Sequence, residues 1–83
     1  MRHELKCWPV PFESVLSGTK THEVRKADRP YGVGDILRLR EWTPESKFCT
    51  GREVLVVVTD MTLPGSFGLP DGLCVMSVRR TKL

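Results

Sequence analysis

Four valines and a leucine in a row, Val54-Leu55-Val56-Val57-Val58, constrain this chain more than any other stretch. Side chains branched at Cβ lose rotamers in a helix and fit a pleated surface, so the run is a strand. An unbroken apolar strand, with no polar residue on either parity, predicts burial on both faces and a central place in a sheet. Thr50-Gly51 opens it and Met61 closes it. A chain of 83 residues buries only about 60–65% of its unfolded surface, which allows one core. The expectation is a single domain over residues 1–83.

The partners of that strand follow from periodicity. His3 to Cys7 alternates, with Leu5 and Cys7 on one face and Glu4 and Lys6 on the other. Thr21 to Lys26 places Thr21, Glu23 and Arg25 opposite His22, Val24 and Lys26. Ile36 to Trp42 alternates most clearly, setting Leu37 and Leu39 against Arg38, Arg40 and Trp42. Leu73 to Val78 makes a last strand. Between the first two strands lies Trp8-Pro9-Val10-Pro11, which cannot continue a ladder because proline has no N–H. A helix from Pro11 to Ser17 is predicted, held by Phe12, Val15 and Leu16 and stopped at Gly18. Ala27 to Gly34 and Thr62 to Gly72 read as loops, the second enclosing Phe67 and Leu69. The fold class is therefore α+β, mainly β: a small, partly closed barrel with one short helix.

Thirteen basic and ten acidic residues leave a net charge of +3, which suits an anionic partner. The basic residues cluster, with Lys20, Arg25, Lys26, Arg29, Arg38 and Arg40 in one span and Arg79-Arg80-Thr81-Lys82 in another. Three separated cysteines give neither a disulfide framework nor a metal knuckle, and His3, Cys7 and His22 lack a fourth ligand, so no metal site and no cofactor are expected. No apolar run approaches the ~20 residues that span a bilayer, and no signal-like segment follows Met1. A cytoplasmic protein without a membrane partner is the expectation.

Gly18-Thr19-Lys20-Thr21-His22-Glu23-Val24-Arg25 carries the chemistry. The glycine turns the chain at the junction of helix and strand, a place where ligands commonly bind. Lys20 offers a point charge and Arg25 a planar fork, both suited to phosphate or a base edge. Glu23 can accept from an exocyclic amine or serve as a general base. The same residues on a solvated strand would form only an ion pair worth about 0.2–1 kcal/mol. Trp8, Tyr31, Trp42 and Phe67 are candidate stacking platforms, Trp42 foremost because it shares a face with Arg38 and Arg40. A large aromatic core is expected to take Phe12 and at least one tryptophan.

Gly18, Lys20, Glu23 and Arg25 meet the pattern Gly-x-Lys-x-x-Glu-x-Arg, which resembles the signature of the ASCH (activating signal cointegrator homology) domain, a branch of the PUA-like superfamily. Leu5-Lys6, the proline-led helix and Val33-Gly34-Asp35-Ile36-Leu37 agree with it. The chain is similar to small prokaryotic and phage ASCH-like proteins. That resemblance implies a PUA-like barrel and a module that binds RNA or a modified nucleotide in a cleft lined by Lys6, Lys20, Glu23, Arg25 and Arg40, with Trp42 stacking a base. It also implies an alternative, an amidohydrolase acting on N4-acetylcytidine. In those enzymes a lysine stands where Lys20 does and a threonine nucleophile stands where this chain has Glu23. For this chain to hydrolyse, Thr21 would supply the hydroxyl, Glu23 the base and Lys20 the positive charge.

Overall fold

A computed structural model describes residues 1–82. The element order is β1 (Arg2–Cys7), α1 (Pro9–Ser17), β2 (His22–Lys26), β3 (Ile36–Thr43), β4 (Phe48–Thr62), one turn of 3₁₀ helix (Ser66–Gly68) and β5 (Leu73–Arg80). The strands form one five-stranded mixed sheet in the order β1-β3-β4-β5-β2. β1 runs parallel to β3, and the other three pairings are antiparallel. The sheet curls into a half-barrel, and the class is α+β with strand predominant, as the periodicity predicts.

β4 is the central strand, but its burial corrects the expectation drawn from composition. Val54, Val56 and Val58 are 5%, 0% and 1% exposed, whereas Leu55 and Val57 are half-buried. α1 lies on the concave side, where Phe12 and Val15 enter the core with Leu37, Leu39 and Met76. The convex side is covered only by its own long side chains, so alternate residues of the run keep partial contact with water.

The helix starts two residues earlier than predicted, because Pro9 as well as Pro11 fits in its first turn, where backbone N–H groups have no helical partner. It ends at Gly18, whose φ of 85° is the left-handed conformation glycine adopts cheaply, with the Gly18 N–H donating to the Val15 carbonyl. No tryptophan enters the core cluster: Trp8 is 58% exposed and Trp42 half-buried. Phe67 is fully exposed in the 62–72 loop.

The half-barrel has a gap between its two edge strands, β1 and β2. Arginine side chains cross it. Arg25 Nη2 donates to the Lys6 carbonyl at 3.0 Å, and Arg29 Nη1 to the Glu4 carbonyl at 3.0 Å. Two edge carbonyls of β1 that a neighbouring strand would have used are thereby satisfied. Among the described residues no helix is long and apolar enough to cross a membrane.

Candidate functional site

Strand parity decides which charged residues meet. Glu23 stands opposite Met76 and Arg25 opposite Cys74 in the β2–β5 ladder, and Met76 and Cys74 belong to the core. Glu23 and Arg25 therefore project to the concave face. Lys20, placed just after the Gly18 turn by a bond from its N–H to the Ser14 carbonyl, joins them there. Glu23 Oε1 accepts from Lys20 Nζ at 3.1 Å, and Oε2 accepts from Arg25 Nε at 2.9 Å. The Glu23 side chain is 3% exposed, and those of Lys20 and Arg25 are 24% each.

This arrangement is not a surface ion pair. A carboxylate taken out of water needs its charge answered, and here both oxygens are engaged. The triad carries a net +1. Lys20 has used one of three donors on Glu23; Arg25 has used one on Glu23 and one on Lys6, of the five a guanidinium has. Each cation keeps donors that the bonds to Glu23 and Lys6 leave unused. Arg25 opens onto a recess of about 380 Å³ that includes Leu5, Arg29 and Tyr31. Lys20 opens onto one of about 270 Å³ with Thr21 and Val78.

Thr21 lines the second recess but makes no side-chain hydrogen bond among the described residues, to Glu23 or to any other group. Its backbone carbonyl accepts from the Val78 N–H at 2.9 Å. A hydroxyl nucleophile needs a base in contact, and Glu23 is held away from solvent by its two cations.

The other predicted site residues lie on the opposite face. Lys6 pairs with Arg40 in the β1–β3 ladder, on the parity that excludes the buried Leu5, Cys7, Leu37 and Leu39. A single cleft lined by Lys6, Lys20, Glu23, Arg25 and Arg40 is therefore not formed, because neighbouring residues of a strand point to opposite faces. Only the Lys6 backbone reaches Arg25. On the convex face Lys6 Nζ sits 5.0 Å from the Trp42 ring centroid. Arg38 donates to Glu53 at 2.6 Å and to Glu4 at 3.3 Å, and Arg40 lies 3.6 Å from Glu4. The face expected to be basic is charge-compensated.

Sequence reasoning passed over two buried acids. Glu41, 5% exposed, accepts from the Thr50 hydroxyl at 2.7 Å and has Arg52 at 3.7 Å. Its signal was available, since it continues the core parity of Leu37 and Leu39. Asp35 accepts from His3 Nε2 at 2.9 Å, from the Gly32 N–H at 2.9 Å and from the Met1 amine at 3.0 Å. The His3 bond foremost, with the other two, holds its carboxyl below the usual range. Burial, reinforced by Glu23 and weakly by Glu41, raises the Cys7 thiol above its ordinary value against the pull of Arg25 and Lys20. Cys7 thus stays protonated and is no thiolate nucleophile. No group of three His, Cys, Asp or Glu side chains is placed to hold a metal ion among the described residues.

Comparison with known proteins gives three findings. The model of the family described as "Domain of unknown function (DUF3850)" matches residues 2–78. An uncharacterized 12.9 kDa protein in the GpA 3' region of Escherichia phage P2 is 47% identical over 60 residues, which are 72% of this chain and 53% of that protein. The chain therefore spans about half the length of that relative. The crystal structure of hypothetical protein PH0355 superposes with a TM-score of 0.69 at 15% identity, covering 98% of this chain and 100% of that one, a likeness of fold.

Proposed function

We propose that this chain, which belongs to the DUF3850 family, is a small binding module of the ASCH and PUA-like kind that takes RNA or a modified nucleotide at Lys20 and Arg25. The observation that carries this reading is the buried Glu23 carboxylate, which holds two cations 3.1 and 2.9 Å away and leaves each of them with unused N–H donors. Two cationic donors fixed on one buried carboxylate, with a net positive charge, suit a phosphate or the carbonyl edge of a base. Glu23 then acts as a positioning residue, not as the group that meets the ligand. The spacing Gly18-x-Lys20-x-x-Glu23-x-Arg25 supports the same reading through the resemblance it carries.

The amidohydrolase alternative draws less support, since Thr21 has no base beside it and both Glu23 oxygens are occupied. Two measurements test the reading. Fluorescence anisotropy of a labelled single-stranded RNA should show binding at low salt that Lys20→Ala weakens. Incubation with N4-acetylcytidine should release no cytidine at rates ordinary for enzymes, on the order of 1 per second or more. Undetectable RNA binding, or turnover that Lys20→Ala abolishes, would reverse the ranking.

A further inference from the structure

The basic cluster at the end of β5 takes no part in the Glu23 triad, and its surroundings differ from those of every other arginine-rich part of the molecule. Lys20, Arg79 and Arg80 rim the recess of about 270 Å³ whose floor is Val15, Val56 and Val78, each no more than 6% exposed. Arg79 and Arg80 also border a second recess of about 450 Å³ with Thr81 and Lys82. No aspartate or glutamate lines either one. By contrast Arg38, Arg40 and Arg52 are all matched to carboxylates, and the recess beside Arg25 contains Asp28.

Arg80 is also held in place. Its Nη1 donates to the Leu16 carbonyl at 3.0 Å, at the C-terminal end of α1 where carbonyls lack helical partners. That bond offsets the negative end of the helix and fixes the guanidinium at the rim, with further donors free. Arg79 has no ion-pair partner among the described residues. Lys20 is matched to Glu23, but Arg79, Arg80 and Lys82 have no carboxylate partner among the described residues, so unmatched positive charge gathers at the end of β5.

We infer that this pair of recesses is a subsite for single-stranded nucleic acid. One base rests on the valine floor beside Lys20, with one flanking phosphate held by Arg80, which shares the face of Val56 and Val78, and the next, past the end of β5, held by Arg79 from the other face and by Lys82. A floor of about 270 Å³ lies just under the ~300–1,000 Å³ of ordinary small-molecule sites, which suits one ring system and not a whole cofactor. The valines read no base edge, so seating is tolerant of sequence, and the arginine forks match phosphate oxygens in pairs. The subsite deepens the reading above by naming a polynucleotide strand, and it rests on that reading for the class of ligand alone.

The test is a salt titration of binding to a fluorescein-labelled octauridylate RNA for the parent protein, Arg79→Ala, Arg80→Ala, Arg25→Gln and Arg38→Ala, each measured where its melting curve shows it folded. Losing one phosphate contact on a single strand should flatten the slope of log K against log salt by about 0.7, or weaken binding about five-fold at 0.1 M salt. Arg79→Ala and Arg80→Ala should each do so, and Arg38→Ala should do neither. Uridine 5'-monophosphate should compete far less well than the octamer. Weakening by Arg25→Gln with no effect of Arg79→Ala and Arg80→Ala would overturn the subsite and leave the function standing. Weakening by the β5 variants alone would keep the subsite and remove the Glu23 triad from recognition. Equal binding by all variants, or no binding by the parent at low salt, would overturn both.

Discussion

Arg25 Nη2 reaches across the open side of the half-barrel to the Lys6 carbonyl at 3.0 Å, while Nε of the same guanidinium holds Glu23 at 2.9 Å. One side chain thus closes the sheet and anchors the buried acid. Both tasks use the planar fork, and the ammonium of a lysine is a single point that cannot span two acceptors set this way. Arg25→Lys is expected to cost about 1–3 kcal/mol of stability, seen as a lowered urea midpoint with an unchanged m-value. A midpoint equal to that of the parent would mean that the gap is closed by other contacts.

Val56 is 0% exposed at the middle of the central strand. Val56→Asp forces a carboxylate into the apolar core, and the domain should lose its cooperative melt. Val57→Asp, at a half-buried convex position of the same run, should be markedly milder. Equal damage from the two would contradict the one-sided core.

The depressed Asp35 carboxyl sets a pH dependence. A carboxyl whose folded pKa lies below its unfolded value adds stability above the unfolded value, about 3.9, and loses it as pH falls through the folded one. Asp35→Asn should therefore melt below the parent at pH 6, and the gap should close progressively as pH falls below about 4. A gap that does not narrow as pH falls below about 4 would show that the His3, Gly32 and Met1 contacts act only as geometry.

Trp42 shares its face with Lys6, Arg38 and Arg40, all placed away from the Glu23 triad. With Lys6 on its ring and the arginines matched to Glu4 and Glu53, Trp42→Ala should leave RNA affinity within about two-fold. A stacked base would cost about 1–3 kcal/mol. A loss of that size in the anisotropy titration would return the convex face to the binding site.

Much of this molecule was legible before any coordinates. Two-residue alternation in His3 to Cys7, Thr21 to Lys26 and Ile36 to Trp42 determined which side chains share a face. The valine run determined the central strand, and Gly18 the end of the helix. These are local properties, written in neighbouring residues, and backbone sterics convert them directly into strands and turns. Tertiary structure decided what depends on residues far apart in the chain. The alternation of β2 puts Glu23 and Arg25 together, but only the pairing of β2 with β5 turns that face inward and makes Glu23 a buried acid and not a solvated one. Lys6 and Arg40 belong to strands that pair in parallel with their side chains on the convex face, so two cations counted with the site lie outside it. The approach of Arg79 and Arg80 to Lys20 joins positions some 60 residues apart in sequence. Periodicity reports the face of a strand, whereas strand order and the curl of the sheet, set by the burial of one shared core, decide which faces meet.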